Sequence, residues 1–214
     1  MNVFLNEEIA ESYDQYYLSE FGQKVDRIEK NLLQKHLIKI PRKPMLELGC
    51  GTGYWTEFFV EQGFKLTASD ISEAMLSVAR KKHLQAEFVK FDSQNIPFDT
   101  ESFSVIASIT MLEFVHDSEQ VLLEIYRVLK PQGWLILACL NSLSEIGKNK
   151  EHDETFRKAK LYKPQEFKEK LEVFGKAEID FGVYLSQELE LLDGKPEQFT
   201  VEPAFMLGIV QKTK

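Results

Sequence analysis

The sequence predicts an α/β fold of the doubly wound kind, a mostly parallel seven-stranded sheet that ends with an antiparallel C-terminal strand. Three observations carry this reading. From Met45 onward, short apolar runs alternate with amphipathic stretches, a rhythm that makes strands parallel and covers both sheet faces with helices. A glycine-rich turn, Gly49 to Gly53, follows the first apolar run and opens a helix. The last two apolar runs, near 177–185 and 203–211, have no helical pattern between them and are expected to pair antiparallel.

Each element has its own signal. Met45, Leu46 and Leu48 form the first strand. An amphipathic helix then carries Trp55, Phe58 and Phe59 on one face and ends at Gly63, where a C-terminal glycine belongs. FKLTASD at 64–70 is the second strand, and Ser72 caps a helix that finishes on Arg80, Lys81 and Lys82, at the negative end of its dipole. EFVKFD at 87–92 and FSVIASI at 103–109 are strands three and four. A helix from about Ser118 repeats Val121, Leu122, Ile125, Val128 and Leu129 at helical spacing, stops at Lys130 and Pro131, and leads into WLILACL at 134–140 as strand five. Residues 141–162 are polar and charged and read as a mobile insertion or a short helix in a connection. A helix over 164–174 starts at Pro164, a residue favoured in the first turn.

Composition sets the limits. The chain has 214 residues, enough to bury about 70% of its unfolded surface. Two cysteines, Cys50 and Cys139, make no disulfide framework and no zinc spacing, which points to a reducing cytoplasm. The first residues, MNVFLNEEIAESYDQYY, do not read as a signal peptide, and no apolar run is long enough for a membrane span. The net charge of −8 disfavours nucleic acid as a partner, since that affinity comes largely from Lys and Arg on phosphates. The excess is uneven: residues 44–140 hold thirteen acids against seven bases, while 141–176 hold nine bases against seven acids. The basic segment suggests that substrate is selected there, with an anionic one favoured. Nothing in the sequence assigns an oligomeric state.

The chemistry-bearing residues lie at the ends of the strands. Glu47, Gly49, Cys50, Gly51, Thr52, Gly53 and Tyr54 make an acid followed by G-x-G-x-G, with Tyr54 where a dinucleotide fingerprint needs its third glycine. Asp70, about 20 residues on and last in strand two, is placed to accept from a ribose hydroxyl pair. Its alternative role, capping the next helix, already belongs to Ser72. Asp92, Ser93 and Gln94 end strand three, where an acceptor can meet an exocyclic amine and a backbone N–H a ring nitrogen; a simple turn is the alternative.

MLELGCGTGYW, TASDIS, FDSQNIPF and EIYRVLKPQGWLIL, in that order, resemble the successive motifs of class I S-adenosylmethionine-dependent methyltransferases, particularly the small-molecule branch related to ubiquinone and menaquinone biosynthesis. The resemblance covers roughly residues 10–140. It implies a Rossmann-like core over 44–140, an N-terminal helical cap over 1–43, and a charged insertion, helix and final strands over 141–214, all one domain. It implies S-adenosyl-L-methionine as cofactor and a small-molecule methyl acceptor. By the same resemblance Glu47 binds the cofactor's amino group, directly or through water, the Gly49–Gly53 backbone its methionyl part and Asp70 the ribose. Ile71 and Met75 pack near the adenine, Asp92 and Ser93 read its edge, and the Thr110 backbone touches the methionyl end. Tyr13, Tyr16 and Tyr17 occupy the place of an aromatic lid, or else are helix core.

His116 and Glu113 lie where acceptors sit in this fold and are the candidate bases, with plain loop polarity as the alternative. His152 and Tyr162 are candidates to close over substrate, or are surface. SITMLEF after strand four lacks the Asp-Pro-Pro-Tyr type of motif that methylates amide or base nitrogens. Two rival functions stay open: a nicotinamide-dependent oxidoreductase on a similar fold, which Tyr54 argues against, and a non-catalytic protein that binds S-adenosylmethionine.

Overall fold

Five strands leave the core in parallel because each is followed by a crossover too long for a hairpin. A computed structural model describes residues 3–194 and 196–213. Its elements are α1 (Glu7–Ser12), α2 (Gln15–Leu18), α3 (Glu20–Leu37), β1 (Met45–Leu48), α4 (Tyr54–Glu61), β2 (Leu66–Asp70), α5 (Glu73–Lys81), β3 (Ala86–Lys90) and β4 (Phe103–Ile109). They continue with α6 (Ser118–Val128), β5 (Leu129–Leu140), α7 (Glu145–Asn149), α8 (Pro164–Glu172), β6 (Ala177–Gly182) and β7 (Phe205–Gln211). The strand order is β3-β2-β1-β4-β5-β7-β6, with β7 antiparallel to both neighbours, as expected from the sequence.

Alternation along the strands builds two cores. On one face Met45, Ile136, Ala138, Phe205 and Leu207 meet Leu33 of α3 and Phe59 of α4. On the other, Leu46, Leu48, Leu135, Leu137 and Met206 meet Ile125 of α6 and Phe167 of α8. Central strands are buried on both faces while the edge strands β3 and β6 are only part-covered. That is why β1, β4 and β5 read as continuous apolar runs.

The helix caps act as their sequences require. Ser72 accepts from the Met75 N–H at 3.3 Å, and Asp117 accepts from Glu119 and Gln120 at the start of α6. Three expectations need correction. The helix before β5 stops at Val128, and Leu129 already pairs with Phe103 of β4; pairing resumes at Trp134 with Val105. The residues between bulge out, because Pro131 has no N–H for the ladder and Gln132 turns at φ +61°. Strands β2 and β3 are shorter than 64–70 and 87–92. Of the two readings of 141–162, a short helix in a connection holds and a mobile insertion does not: α7 lies between Asn141 and Tyr162, which bridge and are both fully buried.

Candidate functional site

At the end of β1 the chain must reverse within a few residues to start α4. Gly49, at φ +71°, makes the first bend, and a Cβ there would lie 2.2 Å from Met111 Cγ. Gly51, at φ +54°, has no atom within 4 Å of where its Cβ would be, so its backbone faces open space. The turn is tied down by the Cys50 N–H on Ser69 O (2.8 Å) and the Gly53 N–H on Cys50 O (2.9 Å). Asp70, last in β2, accepts the Gly51 N–H on Oδ2 (2.9 Å) and the Ser72 N–H on Oδ1 (2.8 Å). Burial raises its pKa, and these N–H bonds partly offset the rise.

That open space is a cavity of about 900 Å³ across the carboxyl ends of the strands. Its wall on one side is Asp70, Ile71 and Met75, continued by Asp92, Ser93 and Gln94 past β3. The Gln94 N–H and amide both bond the Asp92 carboxylate, folding this wall into a side-chain turn. Thr110 holds a left-handed conformation, φ +49°, with its N–H on Ala138 O, where β4 gives way to the cavity floor. Over the top lie Tyr13, Tyr16 and Tyr17; the Tyr17 ring stacks on Tyr54 with centroids 3.5 Å apart and planes 8° off parallel. Among the described residues, the charged carboxyl side chains on the lining are Glu29, Asp70, Asp92 and Asp153, and no Lys or Arg joins them.

Of the residues singled out in the sequence, Gly49, Cys50, Gly51, the walls from Asp70 to Gln94, Thr110, His116 and the three tyrosines all meet on this cavity. Six others do not line it. Glu47 sits on the same face of β1 as Met45, beneath α4; it is 2% exposed and accepts from Thr56 Oγ1 at 2.6 Å. Burial first, and then the Asp70 charge, lift its pKa to about 8 against the Thr56 bond. Thr52 is also buried and donates to Asp14 at 2.6 Å, while Gly53 packs against Ala79.

Glu113 turns away from the cavity into the core. Its Oε1 accepts the Leu140 N–H at 2.6 Å, its Oε2 has no hydrogen bond, and burial raises its pKa to about 7. Tyr162 is fully buried with its hydroxyl on Leu112 O at 3.2 Å, and His152 is exposed away from the lining. The basic segment does not bring its Lys and Arg to the described lining. The residues that the 141–176 segment gives to the cavity, Ile146, Asn149, Asp153, Thr155 and Phe156, include no base.

The sequence reading missed two walls. Phe21, Val25 and Glu29 recur every four residues along α3, a pattern visible in the sequence but silent about what faces it. Val183, Leu185, Ala204 and Phe205, from the β6–β7 end, carried no local signal beyond apolarity.

Comparison with known proteins places this geometry. Residues 46–137 match the family model described as a methyltransferase domain. An uncharacterised protein of Methanocaldococcus jannaschii is 31% identical over 167 residues, covering 78% of this chain and 74% of that one. The malonyl-[acyl-carrier protein] O-methyltransferase of Serratia marcescens is 31% identical over 109 residues, half of this chain and 43% of its own length. The match thus spans less than half of that enzyme. A solved structure from Thermotoga maritima, a SAM-dependent methyltransferase named as a possible histamine N-methyltransferase, superposes with a TM-score of 0.74 at 26% identity, covering 97% of this chain and 98% of that one.

Proposed function

This chain belongs to the class I S-adenosylmethionine-dependent methyltransferases, and from that premise we propose that it transfers a methyl group from S-adenosylmethionine to a small organic acceptor. The observation that carries the reading is the cavity itself. Gly51, Asp70 and Asp92 converge on about 900 Å³ of space at the carboxyl ends of parallel strands, with no Lys or Arg among its described lining. The cofactor bears a sulfonium, an ammonium and a carboxylate, so its net charge is positive and suits that wall. The space in front of Gly51, which a Cβ would occupy, admits a ligand against bare backbone.

On this reading Asp70 takes the ribose hydroxyls, Ile71 and Met75 flank the adenine, and Asp92, Ser93 and Gln94 read its edge. The Gly49–Gly53 turn, with Cys50 and Thr52 in it, and the Thr110 backbone hold the methionyl end, while Tyr13 and Tyr17 close over the site. Glu47 supports the turn from beneath through Thr56. The cofactor supplies an activated methyl group; the protein's part is to align the acceptor and exclude water. His116 is the side chain on the lining suited to take a proton from an acceptor that has one to lose. Glu113 acts instead as a buried brace of the β5 end.

Residues 1–43, 44–140 and 141–214 act as cap, core and acceptor side of one unit. A cytoplasmic setting is part of the proposal, supported by the two buried free thiols. Among the described residues no helix is long and apolar enough to cross a membrane. The acidic charge supports a small molecule over nucleic acid as partner. Calorimetric titration with S-adenosylhomocysteine, NADH and NADPH tests the reading: the first is expected to bind tightly and the others not, and failure of the first to bind would sink it.

A further inference from the structure

One carboxyl group on the cavity lining has no hydrogen-bond partner among the described residues. Glu29 closes the stripe that begins with Phe21 and Val25 on α3. Its neighbours Ile28 and Leu32 rest on Gly182 of β6, where a Cβ would lie 3.1 Å and 2.5 Å from them. β7, which adds Phe205 to the lining, is four strand positions from Asp70 on β2, about 19 Å at the usual interstrand spacing. The helix that carries Glu29 therefore rests on the β6 side of the sheet, away from β2 and β3.

Among the described residues Glu29 makes neither a hydrogen bond nor an ion pair. The adjacent Lys30 is engaged elsewhere, 3.0 Å from Asp26 Oδ1 and 3.2 Å from the Tyr54 hydroxyl. Burial, then the Asp26 charge, push the Glu29 pKa up to about 8 while Lys30 opposes them. Tyr13, Tyr16, Tyr17 and Tyr54 line the same cavity and all feel its charge. An anion brought here would meet the Glu29 carboxyl with no described Lys or Arg on the lining to pair it, and an unpaired charge taken out of water is costly. For an ammonium the balance reverses: a carboxylate at the floor offers a charge-assisted hydrogen bond, and aromatic rings around it offer their π faces.

We propose that the methyl acceptor is an amine with an apolar body and that Glu29 is the side chain that selects it. This rests on the methyltransferase reading above. Glu29 gives up its proton as it binds the ammonium form, and by taking one proton back from that ammonium it becomes a neutral carboxylic acid again and leaves an amine whose lone pair is free.

The test uses the full chain saturated with S-adenosylhomocysteine, titrated with 2-phenylethylamine and with 3-phenylpropionate, a cation and an anion of similar body. The amine is expected to bind roughly 100-fold more tightly than the carboxylate. Glu29→Gln is expected to lower amine affinity by roughly tenfold or more, with S-adenosylhomocysteine affinity unchanged, which also reports that the variant is folded. Equal binding of the carboxylate, no binding of the amine, or loss of S-adenosylhomocysteine in place of the amine overturns the proposal while leaving the methyltransferase reading intact. A parent chain that does not bind S-adenosylhomocysteine overturns both. If Glu29→Gln does not fold, the amine-to-carboxylate ratio of the parent decides.

Discussion

Thr52, in the glycine turn, donates a 2.6 Å hydrogen bond to Asp14, between α1 and α2. The other carboxylate oxygen of Asp14 lies 2.6 Å from Lys82 at the end of α5. One side chain thus ties the N-terminal cap to the turn and to the helix behind it, next in the chain to Tyr13, whose ring meets Tyr17 edge-on.

Asp14→Ala releases that latch. The fully buried Thr52 hydroxyl loses its acceptor, which costs about 1–3 kcal/mol of stability, read by denaturant unfolding. The cap should then open more often, so S-adenosylhomocysteine binds more weakly and limited proteolysis cuts faster within residues 1–43. Unaltered cleavage together with unaltered affinity would show that Asp14 latches nothing.

Two of the glycines that bend the turn should respond differently to the same change. Gly49→Ala drives a Cβ to 2.2 Å from Met111 Cγ in a left-handed residue, a clash and strain worth about 3 kcal/mol. Gly51→Ala meets no atom within 4 Å, so its folding cost is about 1 kcal/mol, yet the new methyl protrudes into the cavity. Thermal melts should single out Gly49→Ala, and titration with S-adenosylhomocysteine should show a binding defect in a folded Gly51→Ala. Full affinity in the latter would remove the turn from the binding surface.

Asp70→Ala removes an acceptor that already holds the Gly51 and Ser72 N–H groups. S-adenosylhomocysteine affinity should fall by about 1–3 kcal/mol, measured by calorimetry beside a melting curve that separates loss of the turn from loss of the contact. A stable variant with parental affinity would take Asp70 out of the site.

Buried carboxyls make stability depend on pH in a definite direction. Glu47 is raised from 4.5 to about 8 and Glu113 to about 7, burial being the main cause in each. The unfolded chain releases these protons at lower pH than the folded one does. Their contribution to stability is therefore complete below about pH 4.5 and is lost as pH rises through about 7 to 8. The melting temperature should drop between mildly acidic and mildly alkaline buffer, and Glu47→Gln should flatten the drop. A melting temperature that stays level or rises over that window contradicts the assignment of these groups as protonated in the fold.

Much of the fold was legible because its signals are local. The alternation of runs, the Ser72 cap, the glycine turn and the acid at the end of β2 each depend on a few neighbouring residues, and each lies where the sequence puts it. The β5 start was not, because Leu129 satisfies the helical spacing of α6 and only its pairing with Phe103, far away in the chain, makes it a strand residue. Glu47 and Glu113 lie off the cavity lining for a related reason. Both are polar residues at strand ends, but the pleat turns Glu47 under α4, and the Leu140 N–H draws Glu113 into the core.

By itself, then, the sequence determined the order and direction of the strands and the half of the cavity built from β1 to β4, since a turn and the strand end that follows it keep their spacing however the rest packs. Only the tertiary structure decided the other half. Glu29, Phe205 and Asp153 come from α3, β7 and the loop after α7, and what they line depends on which helix face meets which strand across the sheet. Charge counted along the chain pointed to an anionic acceptor, whereas the charge that faces the cavity is acidic, because the bases of 141–176 lie off its described lining.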